Sequence, residues 1–415
     1  KLGIGFKSQF YTFNSSNNPI IDSPGIGEKI DSSLLSSYDY TQQIHAAYVN
    51  WSDQMGKFSY QAGLRVEDAV YDGTGNVPRR ASFSNSFLNF FPSAFVSYQL
   101  ANQQSIYLNY SRRTNRPGFM QLLPFVDVSN PSTVNKGNPN LIPEFINNIE
   151  FSYSKNDSKG NNFILSTYYA YTENLIERLT RPIKPDEAAL YGVSPGNLFT
   201  QPVNIASGTT YGLEGTGHIQ IIPIWDATVN LNFFQNQLII GNIDTAYRKY
   251  FSNNSGFTWF GKVNTNLKLP KNFSLQVNGN FESAKVIAQG NLAETYWVDV
   301  ALKKTFWKSK ATLVLNCSDV FKTRRFITNY NINVYNQSIN RVKETRIGNI
   351  TFTYKFGKSD MGKSKEGRKD KPDEKMRPEK PKSEDRDKNL KEGDDNDQGG
   401  GQGGGGNNKG NKGNN

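Results

Sequence analysis

Polar and ionisable side chains in many segments before Phe356 sit between apolar neighbours at a spacing of two, and they do not form a recognisable catalytic set. Arg65 and Glu67 are spaced this way. So are Asn109, Arg113, Glu150, Glu214, Lys262, Glu282, Asp299 and Lys303 along later segments. Serines and carboxylates are abundant, yet no spacing joins a nucleophile, a base and an orienting group. No catalytic residue, cofactor or metal ligand is assigned, and the chain is not expected to be an enzyme. His45 and His218 lie on separate segments, both assigned to the polar parity, where lining a wet surface is the simpler role than pairing around a metal. The single cysteine, Cys317, excludes an intrachain disulfide. Its alternation with Ala311, Leu313 and Leu315 makes it a small apolar outer-face residue before a reactive thiol. The chemistry open to such spaced polar groups is non-covalent: they can line a passage and hydrogen-bond a solute.

A spacing of two belongs to β-strands, whose side chains point to opposite faces in turn. Ile350-Thr351-Phe352-Thr353-Tyr354-Lys355-Phe356 alternates throughout. Phe273, Leu275, Val277, Gly279 and Phe281 alternate with Ser274, Gln276, Asn278, Asn280 and Glu282. One face is aromatic and aliphatic: Phe58, Tyr60, Ala62, Leu64 and Val66; Ala94, Val96, Tyr98 and Leu100; Tyr296, Val298, Val300 and Leu302. The ten residues named first fall on the other parity and are assigned to a water-filled lumen. A charge on the lipid face of a membrane barrel costs about 2–4 kcal/mol at the bilayer midplane, so confinement of charge to one parity is the arrangement of lowest energy.

About fourteen strands are expected, joined by connections that are short and long by turns. Tight turns fall at Asp53–Gly56, Ala101–Gln104, Asn156–Asn161, Pro223-Ile224, Pro270–Asn272 and Trp307–Ser309. Long excursions cover 14–37, 72–91, 114–144, 180–204, 241–254 and 322–341, and 286–294 is of middling length. Outer-membrane barrels carry short turns at the periplasmic end and long loops outside. The expected fold class is therefore all-β, a transmembrane antiparallel β-barrel with both ends of the strand set in the periplasm. A large soluble sheet with one hydrated face is the bland alternative, but expected strands of ten or more residues exceed the usual five or six.

Composition agrees. The chain has 415 residues, 13% of them aromatic and 20% charged, and a mean hydropathy of −0.63. It contains no run of about 20 apolar residues, which excludes a helical membrane span but not a barrel. The net charge is +11; residues 357–415 hold 15 basic and 13 acidic side chains, so most of the excess lies in residues 1–356. It is too dispersed for nucleic acid. After Phe356 the chain turns to mixed charge and then to Gly and Asn, a composition that cannot offset the entropy of ordering. Two domains follow: a partial barrel over 1–356 and a disordered periplasmic tail over 357–415. With no secretory leader at Lys1, truncation upstream is expected.

Several stations resemble the barrel of TonB-dependent outer-membrane receptors, in the branch of Bacteroidota-type outer-membrane β-barrel proteins. They are Gly63–Glu67, Tyr110–Arg113 with Asn115-Arg116-Pro117, Gly137–Glu144, Tyr211–Gly215, and Asn316–Phe321 with Arg324-Arg325. Pro139 and Pro143 suit a loop re-entering a sheet at a strand start. Gly212 and Gly215 suit bulges or close backbone approach. The resemblance implies a barrel of about 22 strands, of which fourteen are present, plugged by an N-terminal domain and energised through the TonB complex. No plug and no TonB-contacting segment is seen before the first strand. It also implies uptake of a small-molecule or glycan ligand, such as a siderophore or oligosaccharide, across the outer membrane, with lipid as the surrounding partner. Tyr191, Phe199, Tyr247, Tyr250 and Phe251 are expected at the loops, as ligand contacts or as loop packing. A passive porin-like channel and a structural or adhesive surface barrel are the alternatives.

Overall fold

Alternation of the kind just described should give long, one-side-apolar strands. The computed structural model describes residues 1–17, 20–23, 27–30, 36–75, 81–123, 126–130, 132–241, 248–332 and 335–356. The tail, 357–415, lies outside the described residues. Fourteen strands form one continuous wall: β1 Leu2–Asn17, β2 Ser36–Met55, β3 Phe58–Gly75, β4 Ala81–Gln99, β5 Gln104–Asn115, β6 Glu144–Asn156 and β7 Asn162–Pro182, then β8 Leu198–Ile222, β9 Trp225–Ile240, β10 Asn254–Leu269, β11 Phe273–Glu282, β12 Thr295–Phe306, β13 Ala311–Cys317 and β14 Gly348–Tyr354. Every neighbouring pair in the wall is antiparallel and consecutive in sequence. Among the described residues no ladder joins β1 to β14, so the sheet is open.

Six connections of two to five residues close one end of the wall. Their tightness rests on backbone with positive φ: Gly56, Asn102, Gln103, Gly160, Lys271, Asn272 and Trp307–Ser309. Leu2 stands opposite Trp51 and Tyr354 opposite Ala311, which puts the start of β1 and the end of β14 at this same end. The other end carries the longer excursions.

The strand number matches the expectation, but the long connections are shorter than expected, because strands run on beyond the apolar band as paired arms. The excursion expected over 72–91 shrinks to 76–80. β4 begins at Ala81 and not at Pro92, which is a mid-strand residue opposite Leu64. Pairing of β4 with β5 starts only at Ser93. Pro92 thus sits where one ladder edge has no partner, the position at which a missing N–H costs nothing. Likewise β7 and β8 stay paired out to Pro182 and Leu198, leaving only 183–197 as loop. Short hairpins fill other excursions: Ile20–Ser23 with Gly27–Ile30; Val126–Asn130 with Thr133–Lys136; and Lys285–Ile287, Gly290–Leu292, Phe326–Ile332 and Tyr335–Arg341 in one four-stranded sheet.

The register fixes the faces. Phe58, Tyr60, Ala62, Leu64 and Val66 lie opposite Met55, Asp53, Trp51, Val49 and Ala47 on one side. On the other they lie opposite Tyr98, Val96, Ala94, Pro92 and Phe90. This outer face continues through Leu108, Phe151, Leu165, Leu213, Phe233, Val263, Tyr296, Leu315 and Ile350, all exposed or partly so. Nine residues from Phe58 to Val66 match the length of a membrane-crossing strand, and Asp68 ends the band. His45 corrects one expectation. It stands opposite Asp68 and shares the parity of Ala47 and Val49, so it lies on the outer face just past the apolar band, bonded to Ser8 at 2.9 Å. A strand that alternates cleanly within the band mixes polar residues on both faces beyond it, which is why parity alone misplaced His45. His218 is on the inner face, bonded to Thr228 at 3.1 Å. The two histidines thus face opposite sides of the sheet.

The largest buried cluster sits on the inner face at the long-loop end, where Leu122, Leu123 and Leu141 pack on Tyr38, Tyr40, Ile44, Ala69, Tyr71 and Ile176. Among the described residues no helix is long and apolar enough to cross a membrane. Face segregation has a direct test in protein folded into phospholipid vesicles and titrated with urea. Val229→Arg, in the middle of the β9 apolar stripe, should cost about 2–4 kcal/mol. Asn264→Arg, on the opposite face one strand away, should stay within about 0.5 kcal/mol.

Candidate functional site

The polar face is built row by row. One row of laterally paired residues runs Asn109, Glu150, Tyr168, Gly212, Phe234 and Thr258 across β5–β10. The next runs Ser166, Glu214, Asn232, Phe260, Glu282 and Thr295. A third holds Thr216, Asn230, Lys262, Asn280 and Trp297, and a fourth Thr228, Asn264, Asn278 and Asp299. Lys303 pairs with Ser274 nearer the short connections. Arg65 and Glu67 stand opposite Phe91 and Asn89, and Arg113 opposite Ile146. All ten sequence-selected residues share the face opposite the apolar one. They are spread over much of the wall and form no compact centre.

Hydrogen bonds knit the inner face. Asn230 Nδ2 donates to Glu214 Oε1 at 3.0 Å, Tyr168 Oη to Asn232 Oδ1 at 2.9 Å, and Ser152 Oγ to Glu150 Oε1 at 3.1 Å. Gly212 is needed here: a Cβ would collide with the Phe233 carbonyl and the Phe234 side chain. Gly215 has ordinary room, so no close approach explains it. Near the short turns a hollow of about 350 Å³ is lined by Asn266, Lys268, Ser274, Gln276 and Lys303. Such a surface offers donors, acceptors and modest charge to a hydrated solute.

At the long-loop end the wall is partly covered by chain segments, each tied down by buried polar groups. Arg65 Nε and Arg116 Nη2 both bond the Glu67 carboxylate, fixing the start of the 116–143 segment to β3. Gly137 passes so close to the Leu123 backbone that a Cβ has no space. Asn138 Nδ2 donates to the Pro202 carbonyl at 3.1 Å, and Gln201 Nε2 to the Gly137 carbonyl at 3.1 Å. Asn204 brackets Ile142, accepting from its N–H at 2.9 Å and donating to its carbonyl at 3.0 Å. Glu144, 1% exposed, accepts from Asn115 Nδ2 at 2.6 Å and from the Ile176 N–H at 2.7 Å. The Gly137–Glu144 motif is therefore a splice that joins a covering segment to β6, with Pro143 at the expected strand entry.

Two further ties complete the cover. Arg181, 1% exposed, forms a two-pronged ion pair with Glu187 at 2.7 and 2.6 Å and lies over the Phe199 ring. Burial pushes the Glu187 carboxyl up, but the Arg181 bonds and the Lys184 N–H outweigh it and hold it below its usual range. Gln289 bonds both N–H and carbonyl of Thr180 at 2.8 and 2.9 Å, linking the β11–β12 arm to β7. Asp319 caps the β13–β14 excursion. Burial raises its carboxyl pKa, and bonds from Thr345, Thr323 and the Arg324 N–H more than reverse the effect.

Of the expected loop residues, Phe199 is buried beneath Arg181 and stacks with Tyr191. Phe251 packs against Ile205, Ala206 and Ala288. Tyr250 lies under Lys249. Loop packing is thus their observed role; Tyr247 lies outside the described residues. Arg112 points to the outer parity, over Phe145 and 3.3 Å from Glu173, while Arg113 faces inward. Glu144, Arg181, Asn204 and Gln289 were not singled out for chemistry. Only Glu144, inside a quoted motif, carried any sequence signal.

Truncating Glu144 to Ala should destabilise the splice by about 1–3 kcal/mol, since it strands the Ile176 N–H. Faster hydrogen exchange at Ile176 and new protease cuts within 117–143 are the readouts. Because folded Glu187 has a lowered pKa, its ion pair stabilises the 183–197 loop above the ordinary glutamate value, about 4.3, and loses that effect as pH falls through the folded value. The protection factor for exchange in this loop, which removes the intrinsic pH dependence of amide exchange, should stay constant from pH 8 to 5 and fall only in stronger acid. Glu187→Gln should show a low protection factor at every pH.

The sequence profile of the outer membrane protein beta-barrel family matches residues 1–354. No curated protein matches the chain in sequence. Among solved structures, the chain is similar to the ferric yersiniabactin uptake receptor FyuA from Yersinia pestis, at 13% identity and a TM-score of 0.55, over 86% of this chain and 51% of that one. It is similar to the siderophore receptor PiuA from Acinetobacter baumannii, at 12% identity and 0.57, over 86% and 53%. The Ferric-Catecholate import receptor Fiu from K12 E. coli gives 13% and 0.53, over 85% and 51%. These likenesses are of fold, and the chain spans about half the length of each receptor. With its alternating wall, outer apolar band and a profile match over nearly all described residues, the chain belongs to the outer membrane protein beta-barrel family.

Proposed function

We propose that this chain is the wall of a receptor-like outer-membrane importer that admits a hydrated small molecule, of the size of a siderophore or a short oligosaccharide, along its polar face. The observation that carries this reading is the segregation of Arg65, Glu67, Asn109, Arg113, Glu150, Glu214, Lys262, Glu282, Asp299 and Lys303 to one face across the wall. In this reading they line the lumen, and the covering segments at the long-loop end meet the ligand first. Residues 1–356 act as the barrel portion, and 357–415 as a periplasmic tail. Energy would reach the barrel through the TonB complex and a plug, parts of the whole receptor. The fold likeness to siderophore receptors supports the importer class, and the amide-rich rows suit a hydrogen-bonding solute as well as a charged one.

The even number of wall strands supports a second reading, in which β1 meets β14 and the chain conducts passively. Two measurements separate them. A strain lacking the gene should grow poorly when iron chelates or oligosaccharides are scarce, and recover with the intact gene but not in a strain lacking TonB. The purified product of the whole gene, plug included, should show no steady conductance in planar bilayers. A stable open conductance with TonB-independent growth favours the passive pore, and unchanged growth on every scarce nutrient removes the import reading.

A further inference from the structure

The short-turn end of β10–β14 has an uneven charge. From Thr265 to Phe281, from Val300 to Cys317 and from Gly348 to Phe356 there are seven lysines and no aspartate or glutamate. The register divides them between the faces. Lys304 takes the outer parity, where it lies 4.0 Å from the centre of the Phe273 ring and donates to the Lys271 carbonyl. Lys268 and Lys303 take the inner parity, in a row that runs Lys268, Ser274, Lys303 and Val314 across β10–β13. Each lysine stands one strand from Ser274, so the two lie roughly 10 Å apart across the sheet, within reach of one ligand between them.

This row borders the hollow of about 350 Å³ near the short turns, whose remaining lining, Asn266, Gln276 and Ala301, comes from the adjacent row. Ser274 and Ala301 are short, which leaves a depression between longer neighbours. The lining offers two cations, a hydroxyl and two amides, and it includes no carboxylate. Inward acids of the adjoining rows are engaged elsewhere: Asp226 accepts from Asn266 Nδ2 at 3.2 Å, and Asp299 accepts from the Asp319 N–H at 2.9 Å. Both lysines are exposed, and among the described residues no ion pair holds either one. Two unneutralised cations beside one concave, low-dielectric wall repel each other and concentrate a positive field in the hollow.

We propose that this hollow binds the carboxylate or phosphate groups of a small anionic solute. Lys268 and Lys303 are its charged partners, and Ser274, Asn266 and Gln276 its hydrogen-bonding ones. Inner parity points the row away from the apolar face and so away from lipid headgroups. A neutral sugar gains nothing from two unpaired cations, whereas a charged acceptor makes the stronger, charge-assisted bonds. Resting on the import reading, the site narrows the cargo to anionic solutes and sets their last station before the short turns.

The test uses the product of the whole gene, plug included, folded in detergent micelles, with lysine acetylation rates read site by site by mass spectrometry. The probes are citrate, inorganic phosphate and neutral sorbitol, with ionic strength held constant by sodium chloride. Citrate should slow acetylation of Lys268 and Lys303 together and saturably, phosphate should do so at higher concentration, and sorbitol should leave both unchanged. Lys155 and Lys159, exposed at the β6–β7 turn, should react at one rate throughout. Lys303→Gln should raise the citrate concentration that half-protects Lys268 about tenfold or more, and Lys159→Gln should not change it. Should Lys303→Gln misfold, Lys268→Gln read at Lys303 gives the same comparison. Equal slowing at Lys155 and Lys159, no response to citrate, or unchanged protection in the folded variants would overturn the site; a plug carboxylate seated in the hollow gives the second of these. Citrate protection with growth unaffected by loss of the gene keeps the site and removes the import reading, and TonB-dependent growth without protection does the reverse.

Discussion

A polypeptide in hydrocarbon has no water to satisfy its N–H and C=O groups, so each must be bonded to a neighbouring strand. That requirement makes the wall a continuous antiparallel ladder and forces the side chains to divide between two solvents. Everything else in this protein follows from the division. Outward positions become aromatic and aliphatic, inward positions collect carboxylates, lysines and amides, and turns at one end are cut to the minimum that positive-φ residues allow. In the bilayer the free edges of β1 and β14 need partner strands for the same reason.

Beyond the apolar band the constraint relaxes, and the architecture changes with it. The strands continue as arms paired with each other but free to carry polar residues on either face, as His45 and Asp68 do. Covering segments fold back onto the inner side of these arms and are fixed by buried polar ties: Glu67 with Arg116, Glu144 with Asn115, Arg181 with Glu187, and Gln289 with Thr180. A buried polar group left without its partner costs more than the bond itself contributes, so each tie holds its segment in one position. The same ties fix the cover relative to the polar rows below it, which connects loop packing to the proposed path of a solute.

The part of the fold inside the membrane was legible from sequence because few architectures repeat a period of two, with one face apolar, over so many long segments. Fourteen strands, the short turns and the faces of Arg65 through Lys303 follow from that period. The arms were less legible. Pro92 and the stretch before it, with Gly73, Gly75 and Pro78 at its start, read as loop, since propensity is local and cannot know that one ladder edge lies open there. The buried ties were least legible: Arg181 and Gln289 find partners such as Glu187 and Thr180 through tertiary packing, and nothing in their neighbours marks them. Gly137–Glu144 lies between these cases. It could be recognised as a motif, but its reason is visible only in the folded chain, where a glycine presses against backbone and a glutamate caps a neighbouring strand.

Hydrocarbon touching one face of this sheet and water the other is the central claim. Nitroxide labels placed one at a time at positions 226–233, in a Cys317→Ser background and in lipid vesicles, test it most directly by their collision rates with oxygen and with a water-soluble nickel complex. Relaxation should be oxygen-dominated at 227, 229, 231 and 233 and nickel-dominated at 226, 228, 230 and 232. Uniform access of the nickel complex along the strand, or the reverse alternation, would contradict it.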